Sequence, residues 1–158
     1  MAIQHETFLR QAIDLAVDNV RQGLGGPFGA LVVKEGEVIG SGTNCVTTNN
    51  DPTAHAEIVA IRAACQKIGA FRLDGCNIYT SCEPCPMCLG AIYWARLDRV
   101  YFAATAKDAS DAGFDDSFIY EELKITPTQR RIPFEPIMHE AGLEPFREWK
   151  QKDNRVQY

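Results

Sequence analysis

The chain has 158 residues, of which 46% are apolar and 23% charged, and its 16 basic and 21 acidic residues give a net charge of −5. This composition excludes a disordered chain and indicates a single domain, residues 1–158, that is large enough to bury a core without disulfides. The acidic balance argues against a nucleic-acid partner, because binding to a phosphate backbone depends on lysine and arginine.

The N-terminal stretch MAIQHETFLRQ has no long apolar run, and no segment reaches 18 consecutive apolar residues. We therefore expect neither a signal peptide nor a contact with a membrane, and a cytoplasmic location. In a reducing compartment, clustered cysteines bind metals or react more often than they form disulfides. Six cysteines have to be explained on that basis: Cys45, Cys65, Cys76, Cys82, Cys85 and Cys88.

The first half of the chain begins with apolar residues at helical spacing over residues 5–22, which predict an amphipathic helix ended by a glycine-rich stretch. A β-branched apolar run at 28–33, a turn and a second strand from Val38 predict a hairpin. A polar loop over 43–53 follows, and then a helix over 54–67.

Strands and helices alternate in the second half of the chain. The predicted ranges are strand 77–80, helix 85–95, strand 100–103, helix 116–124, strand 136–138 and helix 145–152. The helix over 85–95 is apolar almost all round, so we expect it to be buried. This order favours an α/β layered domain whose mixed sheet begins antiparallel and continues with parallel strands joined by helices.

Two short motifs carry metal chemistry. His55-Ala-Glu57 lies at the start of the second predicted helix, and Pro84-Cys85-Pro-Met-Cys88 lies where a strand runs into the third. Cysteines at positions i and i+3 share one face of a helical turn, and a helix N-terminus favours thiolates. Two cysteines and one histidine leave a fourth position for water, which is the arrangement of a catalytic zinc.

Glu57 stands two residues from the predicted ligand His55, where a carboxylate can take and relay a proton of the activated water. H-x-E followed by P-C-x-x-C is the signature of zinc-dependent nucleobase deaminases. Taken alone, His55 would be a core or helix-terminal histidine and Glu57 a solvated helix residue. Their combination with the cysteine pair makes catalytic zinc the stronger interpretation.

Cys82 leaves an alternative open. The spacing Cys82-x-x-Cys85-x-x-Cys88 resembles the first three ligands of an iron–sulfur motif, but position 92 is Ile rather than a fourth cysteine. Cys82 could also replace one of the two zinc cysteines, or lie beside them as a neutral thiol. A structural zinc or redox module is therefore the alternative from another class, although it leaves Glu57 without a task.

At these residues the chain resembles the cytidine deaminase-like superfamily and, within it, the small bacterial guanine deaminases. The matching stretches are GGPFG at 25–29, NDPTAHAE at 50–57, TSCEPCPMCLGAIYWAR at 80–96 and AGFDDSFIY at 112–120. The resemblance implies a three-layer α/β/α fold around a five-stranded mixed sheet. It also implies hydrolytic deamination of guanine to xanthine and ammonia, in purine catabolism and nitrogen salvage.

The same resemblance implies roles for individual residues. Zinc is held by His55, Cys85 and Cys88, with Glu57 as the proton shuttle and Asp116 as its catalytic partner. The guanine-binding residues that it implies are Phe28, Asn44, Ala56, Asp116 and Tyr158, the last closing the pocket. The implied assembly is a homodimer in which the C-terminal segment, about residues 125–158, can be exchanged between subunits.

The chemistry of guanine fits an aspartate at position 116. Guanine presents its N1–H and its amino group as donors, and one carboxylate accepts both. Cytosine presents an unprotonated ring nitrogen at that edge, so a cytosine or nucleoside deaminase is an alternative that fits less well. A tRNA adenosine deaminase shares the zinc motifs but needs a basic surface, which the net charge of −5 does not indicate.

Overall fold

A computed structural model of the chain describes residues 2–158. It divides into two compact units, one that runs to Asp116 and one that covers Ser117–Tyr158. The helices and strands of the described residues are α1 (Ala2–Arg21), β1 (Gly29–Lys34), β2 (Glu37–Thr43), α2 (Val46–Asn49), α3 (Ala56–Ile68), β3 (Cys76–Cys82), α4 (Pro86–Trp94), β4 (Arg99–Ala104), α5 (Ala106–Asp111), α6 (Ser117–Lys124), a 3-10 helix (Pro127–Gln129), α7 (His139–Gly142) and α8 (Glu144–Gln151). Among these, no helix combines the length and the apolar character needed to cross a lipid bilayer.

The first unit is built on a mixed sheet with strand order β2-β1-β3-β4. Strand β1 is antiparallel to both of its neighbours, and Ala30 lies opposite Gly42 on one side and Thr80 on the other. Strands β3 and β4 are parallel, with Tyr79 opposite Tyr101. A parallel pair needs a crossover connection, which α4 supplies. The predicted antiparallel start and parallel continuation are therefore confirmed.

Helices cover both faces of the sheet in this unit. Alternate residues of a strand point to opposite faces, and two separate buried clusters follow from that alternation. On one face, α1 packs on the sheet through Phe8, Ala12, Leu31, Val33 and Tyr79. On the other, α3 and α4 pack through Ala30, Val32, Ile39, Ala56, Ala60, Ala64, Leu73, Cys76, Ile78, Ile92 and Ala95. The α/β class and its layering agree with the sequence prediction.

The expectation that helix α4 is buried all round is wrong. Only Cys88 and Ile92 are buried, and they lie four residues apart on the face toward the sheet. Leu89, Tyr93 and Trp94 are exposed, with Tyr93 at 71%. Apolar composition measures how many apolar residues a helix has, whereas burial depends on which of its faces another element covers.

The described sheet has four strands, and not the five that were expected. Residues 136–138, predicted as that strand, are in irregular backbone. The segment begins with Pro136, which has no N–H to donate to a ladder, and an apolar tripeptide forms a strand only beside a partner edge. Strand β4 is the edge of the described sheet, and its Phe102 is 43% exposed.

Four short helices lie outside the predicted elements: α2, α5, the 3-10 helix and α7. Helix α2 occupies part of the loop predicted over 43–53, and α5 follows β4 directly. A capping box begins α5, since the Thr105 side chain accepts from the Asp108 N–H and the Asp108 carboxylate accepts from the Thr105 N–H. The pattern T-x-x-D is a sequence signal for such a helix start.

The second unit contains α6, α7 and α8, and the predicted helices over 116–124 and 145–152 are confirmed there. Arg130 donates to the Glu122 backbone carbonyl, and the Arg131 N–H donates to the Glu122 carboxylate. No described residue of this unit is buried. Its exposed large apolar side chains include Leu123, Ile132, Ile137, Met138, Phe146, Val156 and Tyr158.

Candidate active site

The three predicted metal ligands lie at the N-termini of two helices. His55 immediately precedes α3 and Cys85 immediately precedes α4, both with extended backbone. Cys88 lies one turn further along α4 and is buried. The Sγ atoms of Cys85 and Cys88 each lie 3.5 Å from His55 Nδ1, and all three ligand atoms lie within 4.8 Å of one another. The fold therefore joins two motifs that are distant in the sequence.

The spacing of these atoms fits zinc. Tetrahedral zinc, with bonds of about 2.3 Å to sulfur and about 2.0–2.1 Å to nitrogen, separates the two kinds of donor atom by about 3.5 Å. That is the distance from His55 Nδ1 to each cysteine sulfur. Two thiolates and one imidazole are also the donor types that zinc prefers. His55, Cys85 and Cys88 are therefore the candidate zinc ligands of this chain.

One of the three ligand groups, Cys85, is held in the ionisation state that binds metal. A hydrogen bond from Cys88 lowers the pKa of the Cys85 thiol to about 4, and His55 contributes in the same direction. The hydrogen bonds with Cys85 in turn raise the pKa of His55 and of the Cys88 thiol, so these two groups give up a proton when a metal binds. Cys85 is thus a thiolate at neutral pH, and the thiolate is the form that ligates a metal.

Glu57 lies in the first turn of α3 and is only 7% exposed. Burial raises the pKa of its carboxyl, and a hydrogen bond links that carboxyl to Cys88. It belongs to the wall of the same cavity as His55 and Cys85. A buried carboxyl beside a metal site, and not itself in the ligand cluster, is placed to exchange a proton with a reacting molecule.

A cavity of about 580 Å³ opens beside the ligand cluster, a size suited to a small molecule. Its wall is formed by Gly23, Gly25, Gly26, Phe28, Asn44, Val46, Thr47, His55, Glu57, Cys82, Glu83, Cys85, Ala106, Ala109, Phe114, Asp115 and Asp116. Four of these residues are acidic and none is a lysine or an arginine. The cavity therefore favours a neutral ligand that offers hydrogen-bond donors over a phosphorylated one.

Phe28 and Asn44 lie side by side in the cavity wall, beyond the paired ends of β1 and β2. The Asn44 N–H donates to the Phe28 carbonyl at 3.1 Å, which continues the ladder past the strands. The Phe28 ring meets Phe114 edge-on, with ring centroids 5.1 Å apart and planes at 88°. An aromatic face and an amide are thereby presented together to a ligand.

Asp116 lines the cavity with its neighbour Asp115 and is half-buried. Burial raises the pKa of the Asp116 carboxyl, and the negative charge of Cys85 adds to the effect. The field of Cys85 at Asp116 connects this residue electrostatically with the ligand cluster. A carboxyl with a raised pKa in a cavity is a group suited to proton transfer.

Two predicted substrate residues are placed differently. Ala56, the first residue of α3, is 1% exposed and belongs to the core under the sheet, outside the cavity wall. Tyr158 belongs to the second unit, and its side chain is 72% exposed. Of the five predicted base-binding residues, three lie in the wall of the described cavity: Phe28, Asn44 and Asp116.

Cys82 lies in the cavity wall, outside the ligand cluster found among the described residues. Its thiol donates to the Thr105 carbonyl at 3.5 Å, and burial raises its pKa to about 11. The residue is therefore a neutral thiol at physiological pH, as one of the sequence interpretations held. An iron–sulfur or Cys82 zinc site is not the geometry observed.

Other wall residues were not predicted from the sequence. Glu83 lines the cavity directly before the cysteine motif, and its carboxylate accepts from the Ala106 N–H at 3.0 Å. This bond ties the metal-binding loop to α5, whose Ala109 also lines the cavity. The position of Glu83 directly before the cysteine motif is the sequence signal that could have identified it as a wall residue. Phe114 lies within the stretch AGFDDSFIY at 112–120, which resembles the guanine deaminases.

A layered α/β fold that holds one histidine and two cysteines at helix N-termini, with a buried glutamate beside them, defines the class of zinc-dependent hydrolytic deaminases. The chain belongs to the cytidine and deoxycytidylate deaminase zinc-binding family, whose pattern it matches over residues 2–104. The match includes both metal motifs and the whole described sheet.

Individual relatives extend the similarity beyond that region. The chain is 55% identical to the guanine deaminase of Bacillus subtilis over 99% of its own length and 100% of the relative's. The X-ray structure of a guanine deaminase from Bacillus subtilis superposes with a TM-score of 0.95, at 56% identity and with 98% of each chain covered. The tRNA-specific adenosine deaminase of Bacillus subtilis is 35% identical over 75% of this chain and 73% of its own length.

Proposed function

We propose that the chain is a guanine deaminase that hydrolyses guanine to xanthine and ammonia in purine catabolism. The observation that carries the proposal is one cavity wall that contains the His55–Cys85 pair, the buried Glu57 carboxyl and the Asp116 carboxyl. Full-length similarity to the Bacillus subtilis guanine deaminase supports the same substrate.

The chain supplies the proton chemistry through Glu57. His55, Cys85 and Cys88 would hold the zinc ion, which when bound would lower the pKa of a water molecule so that it can attack at neutral pH. Glu57 takes the proton that water gives up on attacking guanine C2, and delivers it to the adjacent ring nitrogen. It then takes the second proton, from the hydroxyl group now on C2, and passes it to the amine with Asp116 as its partner, so that the C2 carbonyl forms as ammonia leaves. The burial that raises the Glu57 pKa supports this role, because the carboxyl must both gain and lose a proton.

The base is held by residues of the cavity wall. Asp116 accepts hydrogen bonds from guanine N1–H and the amino group, which a carboxylate can bind together. Phe28 packs against the ring, and Asn44 donates to an acceptor of the base. Ala56 contributes at most through its backbone, since its side chain lies in the core. The lack of lysine and arginine in the wall supports a free base over a nucleotide or RNA.

The assembly that we propose is a homodimer, formed by chains that each constitute one deaminase domain over residues 1–158 and exchange about residues 125–158. Two observations support it. The second unit has no buried described residue, which leaves its apolar side chains to be covered. The free edge of β4 offers unpaired backbone groups that another strand can join. In this assembly Tyr158 closes a substrate pocket.

The proposed location is the cytoplasm. All six cysteines are free in the structure, including the four outside the C-x-x-C pair. Free thiols persist in reducing compartments.

An ammonia-release panel tests the proposed function. Guanine, adenine, cytosine, guanosine and cytidine are supplied separately to the zinc-loaded protein, with metal analysis of the same sample. We expect about one zinc per chain and release of ammonia chiefly from guanine, with xanthine as the product. Release from cytosine or cytidine alone, or inosine formation in transfer RNA without guanine turnover, would contradict the assignment. Zinc binding without any ammonia release would favour a structural metal module.

A further inference from the structure

Asn19 is a buried polar residue near the end of α1, outside the cavity wall, with an exposed fraction of 3%. Its Nδ2 group donates to two backbone carbonyls, that of Gly26 at 2.9 Å and that of Asn44 at 3.0 Å. Both acceptor residues belong to the cavity wall. One side chain of α1 therefore connects two wall segments that are distant in the sequence.

The contacts determine how the Asn19 amide is oriented. A side-chain oxygen in the place of Nδ2 would face two carbonyl oxygens, so only the amino group can occupy it. The Oδ1 atom is buried and has no hydrogen-bond partner among the described residues. A buried acceptor without a partner is unfavourable for folding. The two hydrogen bonds that Nδ2 donates to backbone carbonyls therefore hold Asn19 in this orientation.

Gly26 and a further wall residue, Val46, orient the side chain of Asn44. The N–H of Gly26 donates to Asn44 Oδ1 at 3.3 Å, and the N–H of Val46 donates to the same oxygen at 3.3 Å. Since the oxygen is occupied by backbone donors, the Nδ2 group of Asn44 is the part left to donate to a ligand. Asn19 holds the backbones of both partners in the Gly26–Asn44 bond.

The backbone at Gly25 packs directly against the backbone of Asn44. A Cβ atom at Gly25 would lie 2.0 Å from the Asn44 carbonyl oxygen and 3.1 Å from Asn19 Nδ2. At Gly26, a Cβ atom would lie 3.4 Å from Cγ of Asn44. Gly25 lets the two segments approach closely enough for the single Asn19 amide to reach both, whereas a Cβ atom at Gly26 would be at ordinary van der Waals distance.

We propose that Asn19 is a positioning residue that acts through Asn44 and sets the affinity of the cavity for the purine base. The inference rests on the proposed function, in which the Asn44 amide donates to the base. Asn19 contacts no substrate atom. Its effect is to keep the Asn44 Nδ2 group aimed into the cavity while the chemistry at Glu57 is unchanged.

The test compares Asn19→Ala and the isosteric Asn19→Asp with wild type, using Asp18→Ala on the neighbouring exposed position of α1 as the control. Loss of two hydrogen bonds predicts a rise in KM for guanine of about tenfold. A kcat within about twofold of wild type and an unchanged zinc content are expected, because the lost interaction concerns binding of the base. Asp18→Ala should match wild type.

A double-mutant cycle separates positioning from a general structural effect. In an Asn44→Ala background, Asn19→Ala should produce no further rise in KM, because the residue through which it acts is gone. Asn19→Ser, which keeps a short donor, should fold if the alanine variant does not and give an intermediate KM. Unchanged KM in folded variants, or additive effects in the cycle, would overturn the inference about Asn19 and leave the proposed function standing. Failure of the wild-type protein to release ammonia from guanine would overturn the proposed function and the inference together.

Discussion

Gly42 of β2 lies so close to Ala56 of α3 that a Cβ atom on Gly42 would stand 2.3 Å from the Ala56 carbonyl oxygen. The same atom would lie 2.6 Å from the Ala60 backbone nitrogen. No side chain fits between this strand and the first turns of the helix. The contact sets the height of the α3 N-terminus above the sheet, and that N-terminus carries His55 and Glu57.

Replacing Gly42 with alanine should therefore destabilise the protein and displace the start of α3. We expect a loss in the free energy of unfolding of about 1–3 kcal/mol or more, because the clash is with helix backbone that cannot rotate away. Denaturant unfolding and zinc content measure the two effects.

Gly90→Ala is the matched control for Gly42→Ala. Gly90 lies within α4, and a Cβ atom there meets nothing within 4 Å. Alanine should stabilise the helix by about 1 kcal/mol relative to glycine. Equal stability changes in the two variants would contradict the packing argument.

Glu57→Gln should keep the fold and the metal but lose turnover. The substitution preserves the size of the buried side chain and removes its ability to exchange a proton. We expect kcat for guanine to fall by about 10²–10⁴-fold. Steady-state kinetics with parallel zinc analysis provide the measurement. Retention of full activity in the zinc-loaded variant would exclude Glu57 as the proton shuttle.

Cys88→Ala should abolish zinc binding, because it removes one of three ligand atoms clustered within 4.8 Å. Zinc binding to the folded state stabilises it, so the variant should also have a lower Tm than the zinc-loaded wild type. Cys65→Ser, at a half-buried cysteine outside the cluster, is the control and should keep its zinc. Metal analysis and thermal unfolding distinguish the two. A stoichiometric zinc content in Cys88→Ala would refute the ligand assignment.

Asp116→Asn should weaken guanine turnover by presenting a donor where the base requires an acceptor. Hydrogen bonds to a charged group contribute about 1.5–3 kcal/mol, so kcat/KM should fall by about 10–100-fold. Asp111→Asn, at an exposed position of α5 that pairs with Lys107, is the control and should behave as wild type. If kcat/KM is the same in both variants, Asp116 does not bind the base.

A mixing experiment tests whether Tyr158 closes the pocket of its own chain or that of a partner. Glu57→Gln and Tyr158→Ala should each have low activity alone. If subunits exchange their C-terminal segments, refolding the two variants together creates pockets with an intact Glu57 and a partner's Tyr158, and activity recovers. Size-exclusion chromatography verifies the dimer. Absence of recovery in a confirmed mixed dimer would show that each chain closes its own pocket.

The metal motifs could be predicted because their information is local. Cys85 and Cys88 are one helical turn apart, so their spacing alone indicated a common face. His55 and Glu57 share one helix start. The helices with clear 3.6-residue periodicity, such as α1 and α3, were predicted close to their observed bounds for the same reason. The His55–Cys85 distance of 3.5 Å depends on how the sheet brings α3 and α4 together.

Asn19 and the exposed face of α4 could not be predicted from the sequence. Asn19 stands among helical residues with no pattern to separate it from a surface asparagine, and its partners lie in the loops at Gly26 and Asn44. Trp94 and Tyr93 were expected to be buried because they are apolar, but both are exposed. The amino-acid composition of a helix does not show which of its faces another element covers. Both features arise from contacts between segments that are far apart in the chain.

By itself the sequence determined the α/β order of elements and indicated the three candidate zinc ligands with a glutamate beside them, because those properties follow from short-range spacing and side-chain chemistry. Only the tertiary structure decided that Glu57 is buried at 7% exposure, that Cys82 is a neutral wall residue and that Asn19 connects Gly26 to Asn44. Burial, pKa and long-range hydrogen bonds are set by surroundings that the packed layers create.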